Sequence, residues 1–172
     1  MFGNPEQNVA KLVLHEGMRV ADFGAGMGAY TIASSKRVGN SGKVYAIEVQ
    51  KGLVKKLEDE LKRLKISNVS SIWGDIEIKG GTKIIDKSID AIIIANVLFQ
   101  AKDKVGLIDE AKRILKNNGK ILLIDKSTPT FGSHHHLFLK ENEVKELFEK
   151  RGFRYVENIA LNPQNYGIIF TV

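Results

Sequence analysis

The chain has 172 residues, 43% hydrophobic and 27% charged, and its 26 Lys and Arg outnumber 20 Asp and Glu for a formal charge of +6. That balance predicts one ordinary soluble domain across residues 1–172, cytoplasmic by default, because no apolar run of about 18 residues, cleavable leader or lipidation pattern is present. The absence of cysteine excludes disulfides, thiolate zinc sites and thiol nucleophiles, and the lysines, interleaved with Glu58, Asp59 and Glu60 at helical spacing, read as solvated faces and not as a nucleic-acid footprint.

In chain order, residues Pro5 to Leu14 read as an opening helix, with proline early and Val9, Leu12 and Val13 on one face. Gly17 leads into a first strand ending Val20-Ala21-Asp22-Phe23. Next come Gly24-Ala25-Gly26-Met27-Gly28 and a helical pattern near residues 29–37. A second apolar run, Val44 to Ile47, ends on Glu48-Val49, and a helix follows near 51–65. A third run, Val69 to Trp73, passes into Gly74-Asp75-Ile76. Gly39 to Gly42 and Gly80-Gly81 read as turns. A fourth strand lies in Ile89 to Phe99, a helix near 103–116, a fifth strand up to Ile124 and a helix near 140–151, which Gly152 stops. The last two runs, Phe153 to Ala160 and Tyr166 to Val172, are separated by five residues. A parallel crossover needs about ten or more, so these two strands must be antiparallel. Strands alternating with helices predict an α/β fold, a doubly wound and mostly parallel sheet with helices on both faces.

The segment from Asp22 to Gly28 carries the most chemistry. Glycines after a strand can take positive φ and let a ligand approach the backbone, and the N–H groups opening the next helix carry partial positive charge. Gly24, Gly26 and Ala29 fit the G-x-G-x-x-G/A pattern of dinucleotide sites. Glu48, leaving the second strand, is placed to accept ribose hydroxyls from either kind of nucleotide cofactor. Asp22 reads as a support of the glycine turn, Asp90 as a structural anchor and Trp73 as core or cofactor-wall packing.

Asp22, Gly24, Gly26 and Gly28 together form D-x-G-x-G-x-G, which resembles the first motif of class I S-adenosylmethionine-dependent methyltransferases. Gly74-Asp75 resembles that family's adenine-binding turn. Ile89 to Phe99 resembles its fourth strand, and Glu110 to Ile124 its E-x-x-R-x-L-K-P-G-G segment and fifth strand. These ordered matches, over about residues 9 to 125, are more specific together than any one alone. Asn117-Asn118 replace the usual Pro-Gly, where asparagine tolerates a left-handed turn. No N-P-P-Y or D-P-P-Y string follows Ile94, which removes the likeness to amino-methylating enzymes. The stretches Asp86 to Ala91 and Leu122 to Pro129 are similar to the small-molecule branch that includes quinone C-methyltransferases.

The resemblance implies a seven-stranded sheet with a C-terminal antiparallel hairpin. It also implies S-adenosyl-L-methionine as cofactor, S-adenosyl-L-homocysteine as product, and a cofactor site of Asp22, Gly24, Ala25, Gly26, Gly28, Glu48, Val49, Gly74, Asp75, Ile76 and Asn96. A small-molecule acceptor is the expectation, a protein side chain or RNA the alternative, and a nicotinamide-dependent oxidoreductase the reading from a different class. No metal is expected. For a general base the candidates are His134, His135, His136 and Asp125, unranked, since histidine titrates near neutral pH and this stretch leaves the carboxyl end of a central strand. A solvated loop is the plain alternative for the histidines. The segment Ser127 to Leu139 is the one insertion able to cover an acceptor.

Overall fold

The structure, a computed structural model, describes residues 4–126, 138–161 and 163–172. The three histidines at 134–136 lie outside the described residues.

Helix α1 (Pro5–Ala10) begins where Asn4 accepts a hydrogen bond from the Glu6 N–H at 2.9 Å, with proline in its first turn. It stops well short of Leu14 because Val13 takes φ +54°, a left-handed conformation no helix continues through. Strand β1 (Arg19–Phe23), helix α2 (Ala29–Val38), strand β2 (Lys43–Glu48), helix α3 (Lys51–Arg63) and strand β3 (Val69–Trp73) then follow the expected alternation. Strand β4 (Ile89–Ala95) ends before the predicted Phe99, since the chain turns at Asn96 (φ +59°) and winds into a 3₁₀ turn, Leu98–Gln100. Helix α4 (Lys104–Ile114), strand β5 (Leu115–Lys126), helix α5 (Glu141–Lys150), strand β6 (Arg154–Ile159) and strand β7 (Asn165–Thr171) complete it.

The seven strands form one sheet in the order β3-β2-β1-β4-β5-β7-β6. Strands β1 to β5 are parallel, and β7 runs antiparallel to both β5 and β6, as the short final connection required. Strand β4 sits at the centre with Ile89, Ile92, Ile93 and Ile94 fully buried, the continuous apolar run of a strand covered on both faces. Side chains alternate between the faces: Ala21 and Phe23 of β1 join one core with Phe148 stacked on Phe170 at 4.3 Å, while Val20 joins the other with Val9 and Tyr30. The chain leaves β1 toward β2 and β3 on one side and returns to β4 on the other. Ligands of open α/β sheets bind at the carboxyl ends of the strands, beside such a reversal.

A further expectation changes. Asn117 and Asn118 do not form a left-handed turn; neither has positive φ, and both run within β5. There Ile89 pairs with Leu115 and Ala91 with Lys120, so the extra residues are absorbed as a bulge against β4. At the other end of the sheet, Tyr155 faces Phe170 and Glu157 faces Ile169, leaving Val156 as a second bulge in the outermost strand.

Candidate active site

A cleft of about 400 Å³ opens at the carboxyl ends of β1, β2 and β4, lined by Gly24 and Gly26, by Ile47 to Gln50 and Leu53, by Gly74 to Glu77, and by Ala95 to Val97, Gln100 and Ala101. A second cleft of about 470 Å³ adjoins it. Pro5, Asp22, Ala25, Met27, Ala29 and Tyr30 line that one, and Gly24, Gly26, Ala95 and Asn96 belong to both.

The three alternating glycines divide their work. All have positive φ, but a side chain at Gly24 would run into Val97 and one at Gly28 into Leu57 of α3. Those two are glycine so that neighbouring segments can close on the turn. A Cβ at Gly26 would have only the Gly24 carbonyl at 4.0 Å, so here the backbone is bare toward the clefts. Gly28 lines neither cleft.

Glu48, 6% exposed at the end of β2, organises the corner. Its Oε2 accepts the Gly26 N–H at 3.1 Å and its Oε1 the Gln50 N–H at 2.9 Å. A carboxylate has about four lone-pair sites, so two remain. Asp22, one turn behind, is buried and accepts from the Thr31 hydroxyl at 2.6 Å, which ties β1 to α2. Burial pushes its pKa up to about 6 against the pull of that hydrogen bond, with the Glu48 charge adding to the rise. Asp75 Oδ1 accepts the Glu77 N–H at 2.9 Å, fixing the Gly74–Ile76 turn across the cleft mouth. Asn96 is held left-handed, its N–H on the Ile124 carbonyl at 2.8 Å and its own carbonyl accepting from Gln100 Nε2 at 2.7 Å. Its Oδ1 is buried with no hydrogen-bond donor among the described residues, an open acceptor where the clefts meet.

Two sequence-derived roles move, and two motif residues acquire one. Trp73 is 49% exposed and lines neither cleft; its indole N–H holds the Val49 carbonyl at 2.9 Å while Lys51 Nζ sits 4.2 Å above the ring. Asp125 is buried behind the 3₁₀ turn and lines neither cleft. Glu110 and Arg113, met as motif residues without a task, clamp the loop after β3: Glu110 accepts from Gly80 N at 2.8 Å, Thr82 Oγ1 at 2.6 Å and Arg113 Nε at 2.8 Å, and Arg113 continues to Ile84 O and Asp86. Asp90 is the anchor expected, accepting from Arg19 N and Lys116 Nζ. Beyond the strands themselves, sequence reasoning missed in the first cleft Gln50, Leu53, Glu77, Val97, Gln100 and Ala101. Only the position of Gln50 and Leu53 beside Glu48 could have suggested any of them.

The two clefts share one electrostatic property. Among the described residues they are lined by the carboxylates Glu48, Asp75, Glu77 and Asp22 and by no Lys or Arg, in a chain of net charge +6. A pyrophosphate would meet no cation here, whereas a positively charged ligand is favoured. Among the described residues there is also no cluster of three metal-ligating side chains and no helix long and apolar enough to cross a membrane.

An open sheet of this order with a carboxylate-lined cleft at its reversal defines a nucleoside-cofactor enzyme of the Rossmann-like class. Residues 14–165 match the family model described as "Methyltransferase domain", and the chain belongs to that family, as a class I S-adenosylmethionine-dependent methyltransferase. It is 26% identical over 133 residues to a protein of Geobacillus sp. named demethylmenaquinone methyltransferase, covering 77% of this chain and 56% of that one. It is 31% identical over 164 residues to a Sulfurisphaera tokodaii protein named "Probable cobalt-precorrin-6B C(15)-methyltransferase (decarboxylating)", covering 91% of this chain and 80% of that one. A solved S-adenosylmethionine-dependent methyltransferase from Aquifex aeolicus superposes with a TM-score of 0.87 at 27% identity, over 98% of this chain and 90% of that one. The chain spans about half the length of the quinone-methylating relatives it matches.

Proposed function

We propose that residues 1–172 act as one domain that binds S-adenosylmethionine in the first cleft and transfers its methyl group to a small, uncharged acceptor seated in the second. The observation that carries this reading is the pair of clefts meeting at Gly26 and Asn96 that, among the described residues, carboxylates line and no Lys or Arg does. When bound, the cofactor supplies a methyl group on a sulfonium, already activated for in-line displacement.

The chain's own residues would bind, orient and exclude water. The free lone pairs of Glu48 take the ribose hydroxyls, the Gly74-Asp75-Ile76 turn with Val49 takes the adenine, and the bare backbone at Gly26 lets the ligand lie close. Gly28 acts from behind, through Leu57, while Asp22, a buried wall of the second cleft, braces the turn through Thr31. Asn96 Oδ1 offers its unmatched acceptor to the cationic end of the cofactor, which relieves a buried polar group otherwise left costly. The remaining work is proximity: an acceptor held in line with the methyl loses the entropy that a bimolecular encounter would spend.

The second cleft presents Pro5, Met27, Ala29, Tyr30 and Ala95, an apolar wall suited to a neutral ring more than to a polyanion. Of the acceptors for which the relatives are named, a quinone nucleus fits this lining better than a precorrin. RNA is disfavoured on the same ground. A proton on the acceptor would need a base, for which His134, His135 and His136 stand as candidates.

Calorimetry with S-adenosylhomocysteine and with NAD, followed by transfer of a labelled methyl group into metabolite, RNA and protein pools, tests both halves. Product should bind, the nicotinamide cofactor should not, and label should enter the small-molecule pool. Label confined to RNA or protein would overturn the acceptor half.

A further inference from the structure

We propose that Asp125 is a positioning residue, whose buried carboxylate latches the segment Asn96–Ala101 to the end of β5 and thereby sets the far wall of the cofactor cleft. Asp125 is 1% exposed. Its Oδ2 accepts the Phe99 N–H at 2.9 Å and its Oδ1 the Lys126 N–H at 2.8 Å. One residue earlier on β5, the Ile124 carbonyl accepts the Asn96 N–H, so consecutive residues of one strand hold both the entry and the middle of the segment. That segment contributes Asn96, Val97, Gln100 and Ala101 to the cleft, and Val97 closes on Gly24 of the glycine turn.

A short 3₁₀ turn leaves its leading N–H groups without partners inside the turn. Here the Phe99 N–H finds its acceptor on another strand. Local bonds from Gln100 and Ala101 to Val97 shape the turn, and a contact made across 26 residues of sequence ties it to the sheet. The groups facing the carboxylate are Lys104 on α4, Lys126 on β5 and Tyr166, its cross-strand partner on β7. Burial pushes the Asp125 pKa up to about 6, against the pull of the two N–H bonds and the two lysines. Protonation in mild acid takes an acceptor lone pair away from the latch while relieving the buried charge.

The affinity part of the test rests on the S-adenosylmethionine reading; the exchange part does not. In the ligand-free protein, hydrogen exchange of the Phe99 amide should lose about tenfold or more of its protection in D125A, with D125N intermediate because one carbonyl oxygen remains. In the wild type, S-adenosylhomocysteine affinity should weaken as pH falls through about 6, and D125N should be weaker throughout and flatter, any slope left belonging to Asp22. Undiminished Phe99 protection in D125A, or a wild-type pH profile in D125N, would overturn the latch. If the wild type binds no product at any pH, the cofactor reading fails and the amide exchange alone decides. Should D125A not fold, D125N carries both measurements.

Discussion

The corner of the cleft and the clamp beneath the loop after β3 both hang backbone from a buried glutamate, yet they differ in what else the glutamate meets. Glu110 receives N–H and hydroxyl donors from Gly80 and Thr82 and two guanidinium bonds from Arg113. Burial works to raise its pKa, and those donors outweigh it, leaving the group at about 2. Glu48 has two backbone N–H groups and, among the described residues, no ion pair. One carboxylate is saturated and fully committed to the fold. The other keeps lone pairs and an uncompensated charge beside open space, which is what a site for a cationic nucleoside requires.

The comparison breaks first at the clamp. Glu110→Ala should cost about 3–5 kcal/mol of stability by denaturant titration, because it removes the shared acceptor of Gly80, Thr82 and two guanidinium bonds and leaves the largely buried Arg113 with Ile84 O, Thr82 and the exposed Asp86. A loss below about 1 kcal/mol would mean that the loop is held by other contacts.

Acid titration sharpens it, since the two kinds of carboxylate have opposite signs. Asp22 and Asp125, with folded pKa values near 6 against an ordinary 3.8, bind protons more tightly in the folded chain. Their contribution to stability is full below about 3.8 and is lost as pH rises through about 6. Glu110, at about 2 against 4.5, contributes above 4.5 and loses it as pH falls toward 2. Stability should therefore rise on acidification from pH 7 toward about 4, where the two aspartates still outweigh the one glutamate, and fall below it. Asp22→Asn should flatten the upper limb by up to about 2–3 kcal/mol, measured as melting temperature against pH. An upper limb of unchanged slope would show that Asp22 is not buried as a charge.

The smallest effect belongs to the cleft. Glu48→Gln should weaken product binding by about 1–2 kcal/mol, roughly tenfold, and lower the melting temperature much less than Glu110→Ala does. Equal thermal losses would erase the distinction between the two glutamates.

The elements most legible in sequence were those whose pattern is local. Alternating apolar runs gave all seven strands, and the five residues before β7 dictated its reversal. Glu48 and the Gly74–Ile76 turn were legible because each directly ends a strand. The wall at Val97–Ala101 was not, because its position comes from Asp125 and its closeness to the turn from Gly24 lacking a side chain. The opening helix was overextended for a related reason. Val9, Leu12 and Val13 keep helical spacing, but Val13 turns outward and leaves Leu12 and Leu14 to fill the core. Gly28 is the converse case, conforming to a cofactor motif while answering to Leu57.

The bulge at Val156 has a consequence for how molecules meet. Strand β6 is the last in the sheet, and its outer edge presents main-chain groups that a neighbouring strand could copy. An irregular step midway, with Arg154 and Glu157 exposed on either side of it, puts those groups out of register with any straight partner. Molecules crowded together are thereby kept from zipping edge to edge into longer sheets, and a fibre seeded at this end would first have to iron out the strand.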